Sequence, residues 1–581
     1  MEKIYRGIGV SEGICHGKAF VFRHSKNAGT SRTISEKDVK VEISRLENAV
    51  RQAEKEIDGL IAKASESLDS SEVAVIKGQK TFLSDPAYCP AIKKLISGKL
   101  YSAEKAVKEI TEQYAGIFEG MDNAYMRERA TDVRDCGDRL LDYLSGSHVK
   151  LLSEIRHPVI LVADDLSPSD TVKLDRSLIL AFATEKGGRT SHTSVFAKSL
   201  GIPAAVGIPG LLADVSGGED VIIDGGRGAC IFSPQPETVR EYNIKMEKEK
   251  RQNELFSRFS GQPARTKDGK RVTIASNIGS VSDIGDSIKN GAEGVGLFRT
   301  EQIYLSSNSL PDEKTQFGIY REAAERHEGR QVIIRTLDIG GDKEIPYLGI
   351  RKENNPFLGY RAIRYCLGNE EIFLTQLRAI LRASAYGNLA IMFPMISGVQ
   401  ELRAAKKALE KAKGQLQSQG VPFEKNIKTG IMVEIPSAAL MADALAEEAN
   451  FFSIGTNDLV QYTLAADRGN EMVSYLYDYL NPAVIRLIKH TADAAHAAGI
   501  PVGMCGAMAG DPMAEPLLIG LGLDELSMAS GALAQAKYTV STLSTESCRK
   551  LAQEACDCKD VQQVHKLLRG YYNDNVENRA K

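Results

Sequence analysis

The stretch GGRTSHTSVFAKSLGIPAAVG, residues 187–207, sets His192 among hydroxyl side chains directly after a glycine pair. Gly187 and Gly188 permit backbone angles closed to other residues, and Thr190 and Ser191 are good helix N-caps. The pattern predicts a short helix over 192–200, with Val195, Phe196 and Leu200 facing inward and Gly201 and Pro203 ending it. His192 then stands in a first helical turn, where unpaired N–H groups and the helix dipole attract anions. An imidazole there can ligate a metal, act as a base or attack phosphorus. It can also simply cap or pack the helix.

The C-terminal half carries a second set. Asn277, Arg299, Arg335, Glu434, Asn457, Asp458 and Cys505 fall near the ends of apolar runs, joined by Arg361 and by Arg468 in AADRGN. Guanidinium forks suit phosphate and carboxylate. Two carboxylates, Glu434 and Asp458, suit Mg²⁺, which keeps its other positions for water and substrate. A thiol such as Cys505 can give a proton to carbon. The set describes a small, multiply anionic ligand that carries phosphate. Each member also has a plainer use: strand-end arginines and aspartates pair with one another, a single cysteine is an inert buried thiol, and Gly340–Gly341 makes a turn. Gathered on one rim, such groups would be costly to bury without a ligand or a partner.

The elements that must position them repeat as strand then helix. Eight strand patterns appear from residue 272: VTIASNI (272–278), GVGLFRTE (294–301), VIIRTLDI (332–339), LAIMFPMI (389–396), TGIMVEI (429–435), FFSIGTND (451–458), PVGMCGAM (501–508) and ELSMA (525–529), with helical stretches such as ELRAAKKALEKAKGQL (401–416) between them. Eight such units predict a TIM (β/α)8 barrel, whose active site lies at the C-terminal strand ends. Upstream, residues 1–30 and the runs HPVILVAD (157–164), SLILAFAT (177–184) and DVIIDGG (220–226) read as one α/β domain that holds His192. Between its halves, Val39, Ile43, Leu46, Val50, Ala53, Ile57 and Leu60 form a heptad stripe, and Ser35 with Asp38 makes a capping box. The expected division is 1–32 with 146–236 as the α/β domain, 33–145 as a helical insertion, 237–262 as a charged linker helix and 263–575 as the barrel.

A chain of 581 residues exceeds one core. Net charge of −3 gives no bulk field toward nucleic acid or an anionic membrane. No apolar run is long enough to span a bilayer, and MEKIYRGIGV lacks a signal-peptide core. Nine scattered cysteines without a CxxC pair fit free thiols in a reducing cytoplasm.

GGRTSHTS, GVGLFRTE, RTLDIGGDKE, NPFLGYRAIR, GIMVEIP, FFSIGTNDLVQYTLAADRGN and MCGAMAGD together resemble enzyme I of the bacterial phosphotransferase system, from about residue 3 to 575. The resemblance implies a swivelling phosphohistidine domain and phosphoenolpyruvate–protein phosphotransferase activity. His192 would be phosphorylated at Nε2 and pass the group to a histidine of an HPr-like carrier, with release of pyruvate. Arg299, Arg335, Arg361, Asn457, Asp458 and Arg468 would hold phosphoenolpyruvate, Glu434 and Asp458 would ligate Mg²⁺, and Cys505 would protonate the enolate. The helical insertion would dock the carrier, and the barrel would form a homodimer. Two departures stand out. Ala507 replaces the glutamate of the family's Cys-Gly-Glu, and the docking stretch VIKGQKTFLSD (75–85) carries Lys77, Gln79 and Lys80 in place of acidic residues and a histidine. Two alternatives are a phosphoenolpyruvate-sensing regulatory paralogue and a relative of pyruvate phosphate dikinase or phosphoenolpyruvate synthase, which needs ATP.

Overall fold

The heptad stripe folds as helix α1 (Val39–Ser67), and its Leu46, Ala53, Ile57 and Leu60 are buried. The capping box precedes it as read, with Ser35 N–H donating to Asp38 Oδ2 at 3.2 Å. Helices α2 (Tyr88–Lys99), α3 (Ala103–Glu119) and α4 (Ala124–Ser145) share its core through Tyr88, Ile92, Val107 and Leu140. In this computed structural model the described residues are 2–23, 32–67, 78–85, 87–120, 124–145, 152, 155–166, 170–171, 174–188, 191, 193–194, 196–197, 201–213, 215–307, 309–341, 345–470 and 472–576. They fall into two units, Met1–Glu249 and Lys250–Lys581.

The helices interrupt a sheet in the first unit. Its strands are β1 (Lys3–Arg6), β2 (Ile8–Ser11), β3 (Ile14–Phe22), β4 (Val159–Ala163), β5 (Ile179–Thr184), β6 (Ala204–Val206), β7 (Asp220–Asp224) and β8 (Ala229–Phe232), in the order β1-β8-β7-β3-β4-β5-β6-β2. The β3-β4-β5-β6 neighbours run parallel and the flanking pairs antiparallel. Strands β6 and β8 have no counterpart in the sequence reading. GIPAAVG reads as a helix terminator, and its three-residue strand exists only because it pairs with β2 and β5. Helix α5 (Pro236–Ser257) has the charged composition expected of the linker.

The second unit is a closed barrel of eight parallel strands, as the sequence pattern predicts: β9 (Thr273–Ile278), β10 (Val295–Arg299), β11 (Val332–Arg335), β12 (Leu389–Phe393), β13 (Lys428–Val433), β14 (Phe452–Ile454), β15 (Val502–Met504) and β16 (Glu525–Met528), with β16 closing on β9. Leu297, Ile333, Ala390, Met392, Met432, Phe451 and Cys505 fill the interior, and the surrounding helices pack outside. No helix among the described residues is long and apolar enough to cross a membrane.

One buried acid gives the barrel unit a pH signature. Glu515 is 1% exposed, and burial pushes its pKa up to about 8. Unfolded, the group loses its proton near pH 4.5; folded, it keeps it to about 8, so stability falls as pH rises between those values. The slope from this one group is at most about 1.4 kcal/mol per pH unit. Glu515→Gln should flatten the decline in denaturation midpoint between pH 5 and 8; an unchanged slope counts against this assignment.

Candidate active site

The strand ends of the barrel surround a cavity of about 450 Å³. Every barrel residue given a binding, metal or proton-donor role in the sequence reading lines it: Arg299, Arg335, Arg361, Glu434, Asn457, Asp458, Arg468 and Cys505. Arg299 and Arg335 are the last residues of β10 and β11. Glu434 and Cys505 directly follow β13 and β15. Arg361 precedes the helix Ala362–Gly368. Asn457 and Asp458 open the helix Thr456–Leu464.

The charges form an alternating chain. Buried Arg335 donates to Glu301 Oε1 and meets Asp338 Oδ2 at 3.0 Å. Arg361, also buried, donates to the other oxygen of Asp338 at 2.9 Å, to Asp458 Oδ1 at 3.4 Å and to the Tyr462 hydroxyl at 3.2 Å. Arg468 stands 3.9 Å from Asp458 Oδ2. These carboxylates hold both buried guanidinium groups above their ordinary pKa in spite of desolvation. Arg299 differs. It lines the cavity, and among the described residues no carboxylate forms an ion pair with it; desolvation within the cavity and the charge of Arg335 push its pKa down, with Glu301 opposing. A dianionic ligand would relieve that repulsion.

Glu434 is 1% exposed. Burial raises its pKa, with Asp458 and Asp338 adding repulsion and Arg335 and Arg361 opposing it. One oxygen accepts Met395 N–H at 2.7 Å. The other packs against Gly455, where a Cβ would lie 2.9 Å from Oε2. Among the described residues no three acidic, histidine or cysteine side chains form an all-protein metal cage. Two carboxylates beside an open cavity fit Mg²⁺, which draws its remaining oxygens from water and substrate.

Cys505 is buried, and desolvation pushes its pKa up to about 11, so the sulfur carries its proton at neutral pH. Asn457 Oδ1 accepts Ala507 N–H at 3.0 Å and fixes the turn after Cys505. Tyr477 hydroxyl donates to the Asn457 carbonyl at 3.0 Å.

His192, Thr190, Val195 and Leu200 lie outside the described residues. Around them Gly187 has φ +104°, Ser191 Oγ accepts from Ser194 N–H at 3.4 Å as an N-cap does, and Phe196 is buried with Phe182. Asn277 sits at a strand end as read, but it lies outside the cavity lining. Its amide is spent on the carbonyls of Cys505 and Ser527, at 3.0 and 3.2 Å. Gln79 is fully buried and donates to Asp135, so it cannot belong to an exposed docking face, while Lys80 is met by Asp58 at 2.6 Å. Lys77 lies outside the described residues. Sequence reading missed Asp338, Glu301, Tyr462 and Tyr477. Asp338 had a signal, three residues past Arg335 in RTLDIGG; Tyr477, twenty residues beyond Asn457, had none.

Family models match three segments: residues 6–129 to the N-terminal domain of PEP-utilising enzymes, 155–228 to their mobile domain and 253–545 to their PEP-binding domain. The chain is 45% identical to the phosphoenolpyruvate-protein phosphotransferase of Geobacillus stearothermophilus over 97% of both chains. It is 45% identical to that of Bacillus subtilis, over 96% of this chain and 98% of the relative, and 43% identical to that of Listeria monocytogenes, over 98% of this chain and all of the relative. With this identity along nearly its whole length, and with the PEP-binding match falling on the barrel that holds the cavity, the chain belongs to the phosphoenolpyruvate-protein phosphotransferase family.

Proposed function

We propose that the chain moves the phosphoryl group of phosphoenolpyruvate to His192 Nε2 and then to a histidine of a small HPr-like carrier, releasing pyruvate. The observation that carries this reading is the meeting of four arginines, two potential Mg²⁺ ligands and a protonated thiol in one cavity of suitable size. Phosphoryl transfer asks for charge neutralisation and in-line placement rather than covalent help. Arg299, Arg335, Arg361 and Arg468 supply the first, with Asn457 and Asp458 completing the grip. Mg²⁺ held by Glu434 and Asp458 would draw off negative charge as the enol–phosphate bond breaks. The new N–P bond forms on His192. The enolate carbon takes its proton from Cys505, whose raised pKa keeps that proton in place until the enolate appears.

His192 belongs to residues 1–32 and 146–236, the phosphohistidine domain in this reading, and the substrate site to 263–575. The imidazole therefore travels, and 237–262, which includes α5, is the proposed pivot. The insertion 33–145 docks the carrier, and the pairing of Lys80 with Asp58 offsets one of the lysine charges in its docking stretch. Met472 and Tyr475, 82% and 80% exposed, support pairing of the barrel with a second copy. Nine free cysteines suit the cytoplasm.

The test is a rapid-quench experiment with phosphoenolpyruvate and Mg²⁺ but no carrier. The wild-type chain should release a burst of one pyruvate per chain. Cys505→Ala should slow the protonated product about 10²–10⁴-fold, the usual range for a lost acid, and should still bind phosphoenolpyruvate. Binding with no burst in the wild type would instead support a sensor.

A further inference from the structure

Ser453 lies in the middle of β14, opposite Gly503 of β15. Its neighbours Phe452 and Ile454 pack in the core outside the strands. Strand alternation therefore turns Ser453 toward the barrel interior, the side on which Cys505 sits with Leu297, Met392 and Met432. Both side chains are buried, Ser453 2% and Cys505 3% exposed, and Cys505 borders the cavity. The Ser453 hydroxyl has no hydrogen-bond partner within ordinary reach among the described residues. A buried hydroxyl left this way is costly, and the apolar neighbours offer it nothing.

Cys505 explains the vacancy. Its N–H donates to the Ile454 carbonyl at 3.1 Å, and its sulfur stands 3.8 Å from the same oxygen. The thiol thus faces an acceptor while it carries its proton. Once the proton leaves, the sulfur is an anion beside apolar side chains and needs a donor. Ser453 pairs with Gly503, two residues before Cys505 on the same inward-facing side, and its hydroxyl acts to lower the thiol pKa against the effect of burial. The position is that of a preorganised donor aimed where charge develops.

We propose that Ser453 is a positioning residue whose O–H donates a hydrogen bond to the Cys505 thiolate formed when the thiol protonates the enolate carbon. This rests on the reading of Cys505 as proton donor. In the step, the S–H bond breaks, a C–H bond forms at the methylene carbon, and the electron pair stays on sulfur. Ser453 keeps its own proton throughout, and water later restores the thiol.

The experiment follows exchange of the pyruvate methyl hydrogens with D₂O by NMR, with the full chain, Mg²⁺ and pyruvate. In parallel it follows the rate of iodoacetamide alkylation of Cys505 by peptide mass spectrometry at fixed pH. Ser453→Ala should slow both about ten- to hundredfold, the effect of a lost hydrogen bond to a charged group, with the KM for phosphoenolpyruvate within about twofold of wild type. Ser453→Thr, which keeps the hydroxyl, should restore most of each rate. Exchange in Ser453→Ala within twofold of wild type, while Cys505→Ala abolishes it, would overturn the proposal alone. Full exchange in Cys505→Ala would overturn the reading of Cys505 beneath it.

Discussion

Alanine at position 192 should stop phosphoryl transfer to a carrier protein and leave the barrel's own chemistry running. The expected loss is on the order of 10⁴-fold or more, the scale seen when a nucleophile is deleted and only binding remains. The prediction separates the two units. His192 lies in Met1–Glu249, and the cavity lies wholly in Lys250–Lys581. The variant should therefore bind phosphoenolpyruvate with unchanged affinity and still exchange pyruvate methyl hydrogens through Cys505. Carrier labelled by the variant at a rate within tenfold of wild type would show that another group accepts the phosphoryl.

Leucine in place of Arg361 should damage both stability and catalysis. Arg361 is 3% exposed and touches both Asp338 and Asp458. Its removal leaves two buried carboxylates, beside Glu434, with half their counter-charge gone. Deleting one partner of a buried pair typically costs about 3–5 kcal/mol, and the denaturation midpoint of the barrel unit should fall accordingly. Phosphoenolpyruvate turnover should fall by at least about a hundredfold, the scale of one lost charge-stabilising donor. Arg468→Leu is the control. Its side chain is 30% exposed and 3.9 Å from Asp458, so stability should change by no more than about 1 kcal/mol, as for exposed pairs, while KM still rises. Equal stability losses in the two variants would contradict the proposed difference between a buried clamp and a rim contact.

The barrel was legible because its strands are short apolar runs that end in polar residues of a chemical kind. Arg299, Arg335, Glu434 and Cys505 mark the ends of β10, β11, β13 and β15 almost to the residue. Arg361 and Arg468 stand in loops, and residue type rather than strand periodicity marked them as candidates to bind an anion. What escaped was the support around them. Asp338 matters because the loop after β11 folds back to place it between two arginines, and Tyr462 and Tyr477 because helix and loop geometry bring their hydroxyls to Arg361 and Asn457. The two tyrosine contacts have no local signature, whereas Asp338 had one, its place three residues past Arg335. Asn277 shows the converse: a polar strand end counted with the rim residues is spent on closing the barrel between β9, β15 and β16. Strand β6 shows the same limit in the first unit, since pairing partners rather than its own three residues make it a strand.

The most direct measurement is to mix the full chain with radiolabelled phosphoenolpyruvate and Mg²⁺, without nucleotide or carrier, and map the label by peptide mass spectrometry. The account predicts one acid-labile phosphoryl group on His192, formed in step with one pyruvate. Label that appears only when ATP is added, or that maps to any other residue, would contradict it.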